Sequence, residues 1–214
     1  MVTSLSQVDI VNSALIKIGE KPIMSMDDNN SRAQAARYLF PIVSRKLLAL
    51  HDWSCAKRTV KLMQLTSVPA GINFAYAYQL PRYPECLTVR GISLDGQKFV
   101  NTDAYYNTYN NPKESTYLIE GDKLYSDLES VYITYTAFID VSQMDMKVIE
   151  VLEWAMASEL AYNITSSSSN VAMLRDEYRR ALRKSAFRNG LEKQPMQPEG
   201  DSVRVRFALD TEEQ

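Results

Sequence analysis

Glycine is scarce in this chain of 214 residues: seven in all, at Gly19, Gly71, Gly91, Gly96, Gly121, Gly190 and Gly200. That is roughly half the usual share of about 7 %. No phosphate-cradling loop can be built from that spacing. The nearest approach, GISLDGQK from Gly91 to Lys98, puts Gln97 where a P-loop needs its lysine and Lys98 where the following Ser or Thr should stand. A single histidine, His51, excludes two-histidine metal motifs. Two cysteines, Cys55 and Cys86, suit reduced, buried thiols better than a disulfide framework, and they are too few for a zinc site. Neither charge sign dominates: 24 Lys and Arg against 26 Asp and Glu leave a net of −2. Wholesale attraction to nucleic acid or a membrane surface is not the expectation. No run reaches 18 apolar residues and MVTSLSQVDI is not a leader, so the chain is expected to be made in a cytoplasm and to be soluble there.

Present in quantity are tyrosines, 13 of them, and two kinds of hydrophobic period. Val8, Val11, Leu15 and Ile18 recur at helical spacing, with Ser6 as cap, Asp9 at the capping-box position and Gly19 as stop. A second helix is expected from Ser31 as N-cap, with Ala36, Leu39, Phe40, Val43, Leu47 and Leu50 inward. Pro41 is expected to kink or split it. From about Lys57 to Asp140 the period becomes 2. Strands are read at Thr59–Leu65, Asn73–Leu80, Cys86–Leu94, Thr116–Glu120 and Val131–Ala137, with shorter Lys98–Val100 and Lys123–Tyr125. Asp95-Gly96 and Gly121-Asp122 read as hairpin turns, and residues 101–115 as a long loop. Ten of the 13 tyrosines fall in this segment, divided between core and interface readings.

The helical period returns at about Gln143, with Met146, Ile149, Leu152 or Glu153, Met156, Leu160 and Ile164 inward, until residues 165–169 break it. Asn170 reads as the cap of a last helix running to about Asn189, with Val171, Leu174, Tyr178, Ala181 or Leu182, and Ser185 inward and Gly190 as stop. The fold expected is α+β: a discontinuous four-helix bundle (residues 1–56 and 141–190), an inserted antiparallel β domain (57–140), and an extended C-terminal arm (191–214). In the arm Val203, Val205, Phe207 and Leu209 alternate with polar or small residues, a strand without an obvious sheet. It either completes the β domain or adds to a sheet edge of another chain.

Candidate chemistry is thin. His51 could act as a base and Cys55 as a nucleophile beside it, but a helix-end cation and a small buried thiol explain them better. Asp122 and Asp127, among tyrosines, could serve a glycan hydrolase, yet both read as turn residues. The last helix carries Arg175, Arg179 and Arg183 at i, i+4, i+8, and Arg180, Lys184 and Arg188 in a second row, against Asp176 and Glu177. Such rows suit phosphates or an acidic partner, or a solvated face. No catalytic, cofactor or metal residue set is expected.

In order and spacing, VNSALIKIGEKPI (Val11–Ile23), DDNNSRAQAARYLFPIVSRKLLALHDWSCAKR (Asp27–Arg58), AYAYQLPRYPECLTVRGI (Ala75–Ile92), YLIEGDKLYSD (Tyr117–Asp127) and ASELAYNITSSS (Ala157–Ser168) resemble the tail tubular protein A, or head-to-tail adaptor, family of short-tailed bacteriophages. The resemblance covers about residues 8–190 and implies a structural virion protein of the tail. Such a protein forms a dodecameric ring that binds the portal on one side and the tail nozzle, often with tail fibres, on the other, with DNA passing through the centre. It implies no catalytic residues, no cofactor and no membrane partner, and it matches Trp53 to a family tryptophan. The partner-binding residues expected are Val203, Val205, Phe207 and Leu209 of the arm and Arg175, Arg179 and Arg183 of the last helix. A glycan-binding or glycan-hydrolysing tail component and a DNA-binding packaging accessory stand as alternatives.

Overall fold

The structure, a computed structural model, describes residues 5–93, 100–101, 117–164 and 168–192. In chain order these form α1 (Gln7–Lys17), α2 (Ser31–Leu50), a 3-10 turn (Ser54–Ala56), β1 (Lys57–Lys61), β2 (Met63–Gln64), β3 (Tyr76–Gln79) and β4 (Cys86–Ser93). There follow β5 (Val100–Asn101), β6 (Tyr117–Glu120), β7 (Lys123–Ser126), β8 (Tyr132–Ala137), a second 3-10 turn (Val141–Gln143), α3 (Met146–Ile164) and α4 (Ser168–Leu191). The fold is α+β, with four α-helices and two antiparallel sheets among the described residues.

The signals at the ends of α1 act as the sequence reading expects. The Ser6 hydroxyl accepts from the Asp9 amide, and the Asp9 carboxylate accepts from the Ser6 amide at 2.8 Å, a reciprocal capping box. At the other end Gly19 takes φ +80°, so the Glu20 amide donates to the Leu15 carbonyl and the Gly19 amide to Ile16, the Schellman arrangement. The cap of α2 is Asn30, one residue before the expected Ser31, because the Asn30 side-chain oxygen reaches the Ala33 amide at 2.9 Å. Pro41 does not split α2, which runs unbroken over 20 residues. A helix-interior proline costs about 3 kcal/mol. Burial of Ala36, Phe40, Val43, Leu47 and Leu48 on the same helix outweighs it, since each large apolar side chain contributes about 1.5–3 kcal/mol. Leu50, expected inward, is exposed, and Leu48 takes its place in the core.

Helix α3 is the axis of the helical half: α1, α2 and α4 all pack on it. Its buried residues include the neighbours Leu152, Ala155, Met156, Ala157 and Ser158, so more than one stripe is covered. Met146, expected inward, is 67 % exposed because it is the first residue of the helix and lines an open cleft, while Val148 and Ile149 of the same turn face the core. α4 begins at Ser168, so Asn170 lies inside it rather than capping it, and it continues through Gly190 to Leu191. Gly190 does not adopt the left-handed conformation that would end a helix. Buried Asn189 ties this last turn down instead, and Leu191 closes the helix rather than opening an arm.

One sheet has the order β1-β8-β4-β5, the other β2-β3-β7-β6. The expected strand Thr59–Leu65 is therefore two strands in two sheets. β1 pairs with β8, buried Leu62 donates its amide to the Val131 carbonyl at 2.8 Å at the crossing, and β2 pairs with β3. Alternation reveals the face a residue occupies, not which sheet owns it. The hairpin β6–β7 turns on Gly121-Asp122 as expected, with Glu120 opposite Lys123 and Gly121 at φ +60°. The Asp95-Gly96 turn and most of the expected 101–115 loop lie outside the described residues.

Buried residues of helices and sheets form one contiguous cluster, from Leu15, Leu48 and Trp53 through Leu152 and Met156 to Tyr78, Leu124 and Ile133. The join between the halves is polar at its rim. Arg45 of α2 pairs with Glu85 at 3.1 Å and stacks over the Phe138 ring, and Arg90 of β4 donates to the Ala49 carbonyl at 2.9 Å.

Candidate functional site

The C-terminal end of α2, the first 3-10 turn, the first turn of α3 and the last turn of α4 meet at one end of the helical half, here called the foot. Trp53 anchors it. The side chain is fully buried and its indole N–H donates to the Leu47 carbonyl at 2.9 Å, so the polar edge of the ring is satisfied inside the core. Asn189 of α4 stitches the foot together: its side-chain oxygen accepts from the Ser54 amide at 2.9 Å and its NH2 donates to the Asp52 carbonyl at 2.7 Å. Lys147 of α3 pairs with Glu192. Above this polar layer Met146, Phe187 and Leu191 are each about two-thirds exposed, and Met146 and Leu191 line an open cleft with Arg188. Large apolar side chains left in water around a rigid, fully packed base are what a protein contact uses.

His51 and Cys55 belong to the same end of the helical half. The His51 ring lies edge-on to Trp53, centroids 4.7 Å apart, with Nε2 at 3.2 Å from the Asn189 amide nitrogen. Burial pushes the Cys55 thiol up from its ordinary value, so the nucleophilic thiolate is disfavoured. Cys86 is pushed up to about 11 by the same cause.

Asp122 and Asp127 flank β7, one before Lys123 and one after Ser126. The four-residue strand between them leaves five Cα steps, at most about 16 Å when fully extended at about 3.3 Å each. Paired glycosidase carboxyls stand about 5–9.5 Å apart. Both aspartates are also engaged in holding the fold. Asp122 accepts from Arg82 at 2.8 Å and from Gln79 at 3.0 Å, and Asp127 accepts from the Ala75 amide at 2.9 Å. Arg82, then Gln79, hold the Asp122 carboxyl below its ordinary value, the opposite of what a general acid needs.

The tyrosines divide between interior and surface. Tyr78, Tyr125 and Tyr135 are buried, and the Tyr78 hydroxyl donates to the Leu128 carbonyl. Tyr76, Tyr117 and Tyr132 are half-buried, while Tyr83 is 97 % exposed. Tyr105, Tyr106 and Tyr109 lie outside the described residues.

Arg175, Arg179 and Arg183 all stand on the exposed face of α4. Arg179 pairs with Asp176 at 3.0 Å, and in the second row Arg180 pairs with Glu177 at 2.9 Å and Lys184 with Glu150 at 3.1 Å. Among the described residues no carboxylate lies within ion-pair distance of Arg175 or Arg183. The rows that look uniformly basic in sequence are thus partly neutralised. Val203, Val205, Phe207 and Leu209 lie outside the described residues.

Sequence reasoning misses Met146, Phe187 and Leu191 as surface features. Phe187 is legible, since it falls off the inward stripe Val171, Leu174, Ala181 and Ser185. Met146 and Leu191 are not, because helix ends decide their exposure. Among the described residues no group of His, Cys, Asp and Glu is arranged to hold a metal ion, and no helix is long and apolar enough to cross a membrane. The chain matches no protein-family model and no curated protein.

Proposed function

We propose that this chain is a structural virion protein, a ring-forming head-to-tail adaptor that joins a phage portal to the tail nozzle and lets DNA pass. The observation that carries the reading is where the five family-like segments fall. Val11–Ile23 and Asp27–Arg58 hold most of α1, α2 and the Trp53 anchor; Ala75–Ile92 and Tyr117–Asp127 hold β3, most of β4 and the β6–β7 hairpin; of the fifth segment, residues 157–164 end α3. Each contributes buried side chains to the core, among them Leu15, Trp53, Tyr78, Leu124 and Leu160. A framework of this kind, with exposed Met146, Phe187 and Leu191 at one end and Tyr83 at another, supports work done by contact rather than by chemistry.

In this reading the helical half forms the ring body, the β half faces outward or tailward, and residues 193–214 lock onto a neighbour. Contact with passing DNA falls to Arg175 and Arg183. Their limited number suits transient contact, because a densely basic lumen would retain the genome. Asp122 and Asp127 stand at opposite ends of β7, each held by its own fold hydrogen bonds, which argues against the glycan-hydrolase alternative.

The test is co-sedimentation of the purified chain with portal-bearing heads. The reading expects saturable binding at the portal's symmetry, and weaker binding by a chain ending at Glu192. Duplex DNA binding of high affinity in the absence of portal, falling steeply with salt, would favour the packaging-accessory alternative instead.

A further inference from the structure

His51 is the one histidine of the chain. An imidazole is the side chain that ordinarily changes charge between about pH 5 and 8. Burial pushes both thiols, Cys55 and Cys86, upward and away from that range. A response of the folded body to mild acid therefore centres on His51. It stands at the foot, as the C-cap of α2, against the last turn of α4.

The Asn189 side chain fixes which form of the imidazole fits. Its oxygen accepts from the Ser54 amide at 2.9 Å, and its NH2 donates to the Asp52 carbonyl at 2.7 Å. Reversing the amide would set oxygen against oxygen and N–H against N–H, so two backbone groups dictate its orientation. One hydrogen of the NH2 goes to Asp52. The other is left for His51 Nε2, 3.2 Å away. A nitrogen facing a donor must offer its lone pair, so the neutral ring carries its proton on Nδ1. An imidazolium has N–H on both nitrogens and would set two donors face to face.

The charged groups on the elements that meet here lean both ways. Asp52, next in the chain, and the carbonyl end of α2 favour a cation. Arg188 on α4, Lys57 and Arg58 on β1, and Arg90 on β4, which donates to the Ala49 carbonyl at 2.9 Å, oppose it. On α3, Lys147 pairs with Asp145 at 3.8 Å and with Glu192 at the end of α4. With the charges divided, hydrogen-bond geometry decides the form.

We propose that His51 and Asn189 form a proton-sensitive latch at the foot, closed while His51 is neutral and opened when mild acid protonates it. Opening frees the last turn of α4 from the 3-10 turn and unsettles the exposed contact residues Phe187 and Leu191 on that turn. The folded foot takes the neutral ring, so the latch stabilises fully above the ordinary imidazole value of about 6.5, and that contribution is lost as pH falls below it. The isolated chain carries the latch whether or not it forms rings.

Nitrogen-15 NMR of the single imidazole, with hydrogen exchange of the full chain at Ser54 and at residues 188–191, tests this between about pH 7.5 and 5.5. At the upper end the ring is expected as the Nδ1–H form. As it protonates, protection of those amides, taken against the unfolded rate at each pH, is expected to fall about tenfold, while the amides of α1 keep theirs. His51→Gln offers an uncharged acceptor at every pH and is expected to hold protection level across the range. Asn189→Asp offers the imidazolium a carboxylate and is expected to reverse the trend, so that acid strengthens the contact; should that chain fail to fold, His51→Gln decides alone. An Nε2–H ring at the upper end would overturn the proposal. So would protection that stays constant while the wild-type ring titrates, or that falls equally in His51→Gln.

Discussion

Helices α3 and α4 pack against each other, are of similar length and solve opposite problems. α3 buries Val148, Ile149, Val151, Leu152, Ala155 and Met156 among others, because three helices surround it. α4 buries a single stripe, Val171, Leu174, Ala181, Ser185 and Asn189, and turns Arg175, Arg179, Arg183 and Phe187 to solvent. The first is committed to the fold and the second has a face to spare. The same division holds between β8, buried in the middle of its sheet, and β1 at the edge.

Truncation should separate the two helices most strongly. Leu152→Ala in α3 is expected to cost about 3–4 kcal/mol, read as a fall in thermal midpoint of about 10 °C for a chain of this size. Phe187→Ala in α4 removes a larger side chain yet should move the isolated chain's stability by less than about 0.5 kcal/mol. Equal losses at the two positions would break the comparison.

Asn189→Ala comes next. It lies on α4 but points inward, and its removal leaves the Ser54 amide and Asp52 carbonyl without their side-chain partner, for about 2–3 kcal/mol in denaturant unfolding. A smaller effect concerns pH. The Cys86 thiol has its folded value raised from 9.0 to about 11, so the unfolded chain ionises first and stability declines as pH rises from about 9 towards 11. Cys86→Ala should flatten that decline, and alkylation of folded Cys86 at about pH 8 should be slow. Smallest on stability is Arg175→Glu with Arg183→Glu, expected within about 0.5 kcal/mol in the same unfolding assay, because both groups stand in water.

The contrast also explains how far the sequence can be read. The stripe of α4 is legible because one wet face leaves a clear 3.6-residue period. In α3 13 of the 19 residues are apolar and they spread over more than one face, so the period blurs, and Met146 reads as inward although it is exposed at the first residue of the helix. The capping box of α1 and the Gly121-Asp122 turn are legible because local hydrogen bonds decide them. The splitting of Thr59–Leu65 between two sheets, and the persistence of α2 through Pro41, are not, because partners remote in sequence decide both. Of the candidate surfaces, the arginines fall on an outer face as their spacing suggests, but the pairing of Lys184 with Glu150 needs the packing of α4 on α3. The foot formed by Trp53, Asn189 and Lys147 joins residues far apart in sequence, which no motif announces.

We propose that the outward faces serve to build a ring. Negative-stain imaging of the purified chain, with and without portal protein, is expected to show closed rings of the portal's symmetry when portal is present. A monomer indifferent to portal at every concentration would overturn the ring reading.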